Sequence, residues 1–275
     1  MGLLSGKVAL IAGVTNKSSI GWGIAEALHA QGARVAFACL EGNVRRVKRI
    51  APMVDSELVF PCDVRSDADI EAVFVSLREA FGGRLDILVH SLAYAHIEDL
   101  GGKFIDLSRE GWYAALDVSA YSLTAMSRHA RYMMRAAGGG SIMTLTFVGG
   151  SRVVPGYNVM AVAKAALETS VRYLAYELGP DGIRVNAISP GPVPTLSSMV
   201  IEDFSTAMEM VANRAPLLRN ITLQDIGGSA VFLASDLASG VTGSILHVDA
   251  GMDILAPPTD IHRKIKKVSK DAIAP

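Results

Sequence analysis

The sequence predicts a single α/β domain: a doubly wound parallel sheet of about seven strands with helices on both faces. Three observations predict it. Seven short apolar runs recur along the 275 residues, and none alternates with polar residues. Strands of that kind are covered on both sides, which is the signature of a parallel sheet. Amphipathic stretches such as SIGWGIAEALHAQG and ADIEAVFVSLREAFG separate the runs, so strand and helix alternate. Hydrophobic residues make up 50% of the chain, enough to bury one large core, and no repeat or linker divides it.

The first run, KVALIAG (7–13), feeds GVTNKSSIGWGIA, where Gly13, Gly21 and Gly23 fall between strand and helix. Glycines let a backbone approach a pyrophosphate, and a helix N-terminus offers free N–H groups and a positive dipole end. The turn is longer than GxGxxG, and Ser18 and Ser19 add hydroxyl donors. Glycines placed there for purely steric reasons are the alternative. The second run, RVAFAC (34–39), ends at Leu40 and Glu41, with Arg45, Arg46 and Lys48 following. An acid near this point grips the adenosine ribose of NAD, and Glu41 sits slightly late for it. The basic run reads either as a phosphate contact or as a solvated helix face. With no arginine at the strand end and Glu41 placed to repel a 2′-phosphate, NADH is the expected cofactor, with NADPH open.

The third run, ELVFPC (57–62), ends in CDV, where Asp63 either accepts a bond from an adenine amino group or caps the next helix. The fourth, LDILVHSLA (85–93), ends in small residues against which a flat nucleotide can lie. The fifth is GSIMTLTF (140–147) and the sixth IRVNAIS (183–189). GPVPT then starts an irregular, Met-rich amphipathic segment from about 191 to 219. Its position after a strand end favours a lid over an apolar ligand; an ordinary core-facing helix is the alternative. SILHVDAG (244–251) supplies the last strand, so the domain spans 1–255. Residues 256–275 form a tail containing the basic HRKIKKVSK, read as a solvated terminus or as a dock for an acidic partner.

The net charge of −1 implies no nucleic-acid partner. There is no run of 18 uncharged apolar residues and no secretory leader, so neither a membrane span nor export is expected. The two cysteines, Cys39 and Cys62, lack CxxC spacing or a nearby ligand cluster. Two buried thiols in a reducing compartment, no metal, and a cytoplasmic protein are the expectation.

The chemistry concentrates in YNVMAVAK (157–164). Tyr157 and Lys164 are seven positions apart, two helical turns, so they share a face about 10 Å apart along the axis. A tyrosine four before the lysine would have the ammonium beneath its phenol, an arrangement suited to protonating an alkoxide. That position is Met160, which has no acidic proton. The longer spacing separates the roles: Lys164 can hold nicotinamide ribose hydroxyls while Tyr157 reaches a carbonyl farther out. In conjugate reduction hydride goes to the β-carbon while charge builds on the thioester oxygen, and a phenol O–H there acts as an oxyanion-hole donor. The spacing fits C=C reduction better than C=O reduction. Tyr157 as a mere core aromatic, a ketone or alcohol dehydrogenase, and a nucleotide-binding paralogue that has lost catalysis are the competing readings.

LSGKVALIAGVTNKSSIGWGIA, YNVMAVAKAALE, VRYLAYELGPDGIRVNAISPGPVPT and GSILHVDAG together resemble the short-chain dehydrogenases/reductases, and among them the enoyl-acyl-carrier-protein reductases of type II fatty-acid synthesis. The resemblance covers nearly the whole chain to about Leu255 and implies a Rossmann-type fold. It implies cofactor contacts at Gly13, Ser19, Ile20, Asp63, Val64, Ser91, Ala93, Lys164, Val193 and Thr195. It implies an acyl pocket lined by Tyr94, Ala95, Leu100, Phe147, Tyr157, Met160 and Phe204, an enoyl-acyl-carrier-protein substrate, and a homotetramer. The broad apolar coverage of DVSAYSLTAMSRHARYMM and of the Tyr157 helix agrees with a subunit interface. Two positions depart from the pattern. Phe147 stands where many relatives carry a second tyrosine, as in some that act on long acyl chains, and Pro194 where they often carry a basic residue.

Overall fold

The computed structural model describes residues 2–195 and 204–256. Seven strands form one parallel sheet in the order β3-β2-β1-β4-β5-β6-β7. They are β1 (Val8–Ala12), β2 (Arg34–Cys39), β3 (Val59–Pro61), β4 (Ile87–His90), β5 (Gly140–Leu145), β6 (Ile183–Pro190) and β7 (Ile245–Val248). All neighbours pair parallel. Each strand lies within the apolar run that predicts it, except that β6 extends one residue further, to Pro190. Eight α-helices occur among the described residues: α1 (Ile20–Ala30), α2 (Glu41–Ile50), α3 (Asp67–Ala80), α4 (Arg109–Leu116), α5 (Ser122–Ala136), α6 (Asn158–Leu178), α7 (Phe204–Arg214) and α8 (Leu223–Ala234).

Alternate residues of each strand feed two cores, one per face. Ala9, Ile11, Val35 and Phe37 pack with Trp22, Ile24 and Ile226 on one side. Val8, Leu10, Ala36 and Ala38 pack with Phe74, Leu77, Met126 and Leu167 on the other. Period-two alternation in strands buried on both faces requires this division. The strand order reverses between β1 and β4, so the crevice at their carboxyl ends is where such a sheet binds ligands.

Three expectations are corrected. Gly21 and Gly23 do not lie in the turn; they are buried inside the first turn of α1. A Cβ on Gly23 would stand 2.7 Å from Leu223 Cβ, and one on Gly227 2.7 Å from Ala27 Cβ. Gly23 thus serves the close packing of α1 on α8, the steric alternative. The cap of α3 is not Asp63 but Ser66, whose hydroxyl accepts from Asp69 N at 3.2 Å. Tyr157 occupies the position before α6 rather than its interior.

Both cysteines are buried and free, as expected. Cys39 belongs to one core and Cys62 to the other, so the thiols face opposite sides of the sheet and cannot join. Burial pushes them up to about 11 and about 12, leaving both as inert thiols. Of the expected lid, residues 196–203 lie outside the described residues, as do 257–275 of the tail. The described flanks are anchored: Val193, Val211 and Ala215 are buried in the α1/α8 core, and Leu217 N donates to Ala250 O at 3.2 Å. No described helix is long and apolar enough to cross a membrane.

Candidate active site

The expected cofactor end is built where β1 and β4 finish. Gly13 adopts φ +97°, and a Cβ there would fall 2.0 Å from Ser91 O. Only glycine permits this approach of the two loops. Gly13 N donates to Ala38 O and Ser91 N to Ala12 O, both at 2.9 Å, so the loops leave the sheet in fixed register. Ser19 does not point outward as an extra donor. Its buried hydroxyl accepts from Thr15 N and Asn16 N at 3.1 Å and lies 2.9 Å from Thr15 Oγ1, which ties the loop to the start of α1. Ser18 is exposed. Ile20 opens α1, where the first amides have no helical carbonyl to meet and the positive dipole end faces out.

At the end of β3 the Asp63 carboxylate is engaged by Arg65, whose Nε lies 3.0 and 3.1 Å from its two oxygens and whose backbone N donates at 3.0 Å. The guanidinium holds Asp63 below the usual carboxylate range. Val64 turns its side chain into the core. Ser91 is half-buried and Ala93 exposed. Val193 is buried, and Thr195 follows it in the coil after β6. On α2, Glu41, Arg45, Arg46 and Lys48 are all exposed, in agreement with a solvated basic face.

Lys164 is 4% exposed and donates from Nζ to Leu145 O at 2.7 Å, which fixes the ammonium at the end of β5. Burial pulls it down to about 8, and Glu168 opposes that shift. Tyr157 lies two turns away at the mouth of a small apolar cluster. Ala115, Val159, Met160 and Ala163 are its buried members, with Ala95, Leu100, Leu107 and Tyr157 against them. Burial raises the Tyr157 phenol well above its ordinary value, so the group is an O–H donor at any physiological pH. Gly149 touches the ring: a Cβ there would sit 2.6 Å from Tyr157 Cδ1. Phe147 meets the ring edge-on.

Of the expected pocket residues, Ala95, Leu100, Phe147, Tyr157 and Met160 are brought together. Tyr94 is exposed beside them, with its backbone N donating to Ser119 Oγ at 2.9 Å and its carbonyl accepting from the same hydroxyl at 3.2 Å. Phe204 heads α7 and is outside this cluster.

Several residues escaped sequence reasoning. Ser119 sits in one turn of π-helix, Asp117–Tyr121, between α4 and α5, and its hydroxyl also lies 3.8 Å from Met160 Sδ. Such turns often mark functional positions, but no residue pattern announced it. Buried His90 at the end of β4 spans Thr144 Oγ1 (2.8 Å from Nδ1) and Ser122 Oγ (2.7 Å from Nε2). Each hydroxyl also has a backbone carbonyl to donate to, Ser122 Oγ to Val118 O and Thr144 Oγ1 to His90 O, so both ring nitrogens are pinned between anchored side chains. Burial and the Lys164 charge hold His90 down to about 3. Glu168, 8% exposed, accepts from Thr146 Oγ1 at 2.7 Å; its place one helical turn after Lys164 was the available signal. Among the described residues no group of acidic, His or Cys side chains could hold a metal.

The chain as a whole is similar to known proteins. Residues 13–253 match the family described as enoyl-(acyl carrier protein) reductase. The chain is 47% identical over 258 residues to an NADH enoyl-acyl-carrier-protein reductase, FabI, of Bacillus cereus, covering 93% of this chain and 100% of that one. It is 42% identical to the Escherichia coli protein of the same name, covering 93% and 97%. Among solved structures, the Bacillus cereus reductase with NADP+ and indole naphthyridinone superposes with a TM-score of 0.90 at 47% identity, covering 93% and 100%. The Anaplasma phagocytophilum reductase in complex with NAD gives 0.89 at 44% identity, covering 93% and 97%.

Proposed function

This chain belongs to the enoyl-acyl-carrier-protein reductase family, within the short-chain dehydrogenases/reductases, and on that premise we propose that it reduces the trans-2 double bond of an enoyl thioester with NADH. The observation that carries this is the Tyr157 phenol, kept protonated by burial beside the Leu100/Met160 cluster at the head of α6, with Lys164 two turns into that helix. NADH supplies the hydride to the β-carbon; NADPH is the alternative donor.

The residues present suit that cofactor. The Gly13–Ser91 approach leaves no Cβ between the loops, and the first amides of α1 face the space beyond them, a setting for a pyrophosphate. Ile20, Val64, Ser91, Ala93, Val193 and Thr195 border the same crevice and complete the contact set. Asp63 takes the adenine amino group, sharing its carboxylate with Arg65. Lys164 holds the nicotinamide ribose hydroxyls. Tyr157 donates to the thioester oxygen as negative charge grows there, worth most in the transition state. A proton added at the α-carbon completes the reduction. Tyr94, Ala95, Leu100, Phe147, Met160 and Phe204 line the acyl path. Because a methionine stands four before Lys164, ketone reduction is disfavoured.

The substrate is carried by acyl carrier protein, and the enzyme is a cytoplasmic homotetramer. Large side chains exposed on α4–α6, including Tyr113, Tyr121, Tyr132 and Tyr173, support self-association. So does a groove of about 590 Å³ lined by Tyr113, Leu116, Tyr121 and Ala166. Oxidation of NADH and NADPH with crotonyl and dodecenoyl thioesters, set against a panel of ketones, tests the reading. Turnover of enoyl thioesters alone is expected, and ketone turnover without it would overturn the assignment.

A further inference from the structure

Two side chains on successive turns of α6 grip two successive residues at the end of β5. Lys164 Nζ donates to Leu145 O at 2.7 Å, and Glu168 accepts from Thr146 Oγ1 at 2.7 Å. Thr146 is itself tied to the sheet, its N donating to Ile188 O at 2.8 Å. The carboxylate is roofed by the next turn: a Cβ on Gly150 would lie 2.8 Å from Glu168 Oε1. Lys164 and Glu168 are 4% and 8% exposed. Residues four apart on a helix are neighbours, about 5–6 Å between Cβ atoms. A buried carboxylate is costly unless it is hydrogen-bonded and serves a charge. The Thr146 hydroxyl accounts for one oxygen, and the ammonium one turn back on α6 feels the carboxylate through space rather than through an ion pair within 4 Å.

We propose that Glu168 is a positioning residue for Lys164: a buried counter-ion, locked by Thr146, that keeps the lysine charged and its Nζ aimed past the end of β5. The groups that bear on Lys164 act in opposition. Burial disfavours its charge, and Glu168 from the same helix restores it. His90 on β4 is the other titratable neighbour, and the lysine charge helps to keep it neutral. With His90 uncharged, Glu168 is the charged side chain that offsets the burial of Lys164 among the described residues. The ammonium, held down to about 8, is therefore poised just above neutrality. Without Glu168 the burial of the ammonium would be unopposed and its proton held less tightly. A neutral amine still donates hydrogen bonds to a ribose, but without the charge-assisted strength of an ammonium.

The lysine ionisation itself can be followed, independently of the role given to Lys164 under the proposed function, on which only the affinity measurement below rests. The protein is labelled with 13C-lysine, and the Cε resonance absent from Lys164→Arg is titrated in the wild type and in Glu168→Gln. Glutamine keeps the shape and an acceptor for Thr146. A fall of the midpoint by roughly one to two pH units is expected, the scale of a lost opposite charge at this range. NADH affinity is measured across pH 6–9 in parallel. The variant should match the wild type at pH 6 and weaken at a lower pH than the wild type does. Thr146→Val is the second variant. It frees the carboxylate from the strand and should move the midpoint, in either direction, by roughly half a unit or more. An unmoved midpoint in the variants overturns the inference. A moved midpoint with pH-independent NADH affinity leaves the inference standing and removes Lys164 from the ribose.

Discussion

The ring of Phe147 stands edge-on to that of Tyr157, with centroids 4.9 Å apart and planes at 66°. The electropositive edge of one ring therefore meets the face of the other, and among the described residues the phenol is aimed by packing. This sets the first expectation. Tyr157→Phe retains the ring contact and loses only the O–H. The chemical step should fall on the order of 10²–10³-fold, roughly 3–4 kcal/mol, with NADH binding nearly intact. Phe147→Tyr should be tolerated and should partly rescue the loss in the double variant. Single-turnover reduction of an enoyl thioester reads both; a wild-type rate for Tyr157→Phe would reduce the residue to packing.

Gly149→Ala tests the same aim from the other side. The added methyl would lie 2.6 Å from Tyr157 Cδ1, so the ring must shift. A displaced donor costs about 10²-fold when the shift approaches 1 Å. The rate should fall, with NADH affinity and unfolding temperature nearly unchanged.

Asn158 carries a positive φ of 34° at the start of α6. Its Nδ2 donates to Gly101 O, and Gly101 N donates to Gly156 O at 2.9 Å, so the loop bearing Leu100 is strapped to the turn bearing Tyr157. Asn158→Gly suits the backbone and deletes one half of the strap. KM for the enoyl thioester should rise roughly 2- to 10-fold, the worth of one hydrogen bond, while the NADH dissociation constant stays fixed. Steady-state kinetics with both substrates varied separates the two.

His90 is held down to about 3 from an ordinary 6.5. The unfolded chain therefore takes up a proton that the folded protein refuses. The stability contributed is complete above pH 6.5 and is lost as the pH falls from there toward 3. His90→Gln should narrow the gap between urea midpoints measured at pH 7.5 and pH 4.5. An unchanged gap would mean that the ring titrates freely.

The cofactor preference is tested at the end of β2. Glu41→Ala should raise kcat/KM for NADPH about two- to fivefold, the scale of one solvent-exposed charge, and leave the NADH value alone. A wild-type enzyme that favours NADPH would instead draw Arg45 or Arg46 onto the phosphate.

The strands were legible because burial on both faces writes continuous apolar runs, and Tyr157 with Lys164 because helical spacing is local. What escaped depends on contacts between distant segments. Gly23 reads as part of a ligand turn until Leu223 is seen against it. Ser66 takes the cap because α3 begins at Asp67, directly after it, while Asp63 lies three residues upstream and is held by Arg65. Ser119 matters through Tyr94, 25 positions away. Glu168 was in plain view, but its purpose depends on Thr146, which only the folded sheet brings to it.

The contact between Gly13 and Ser91 O bears on how this enzyme can change. Any side chain at 13 would push the whole β4 loop, so neither side of that junction can drift alone. Leu40 and, on the first turns of α2, Glu41, Gly42, Arg45 and Arg46 are exposed and meet no such constraint, whereas Val44 packs against the core. Lineages, or engineers, that alter nucleotide choice therefore have an inexpensive place to do it, and mutational libraries at residues 40, 41, 42, 45 and 46 should yield functional variants where libraries at 13 yield almost none.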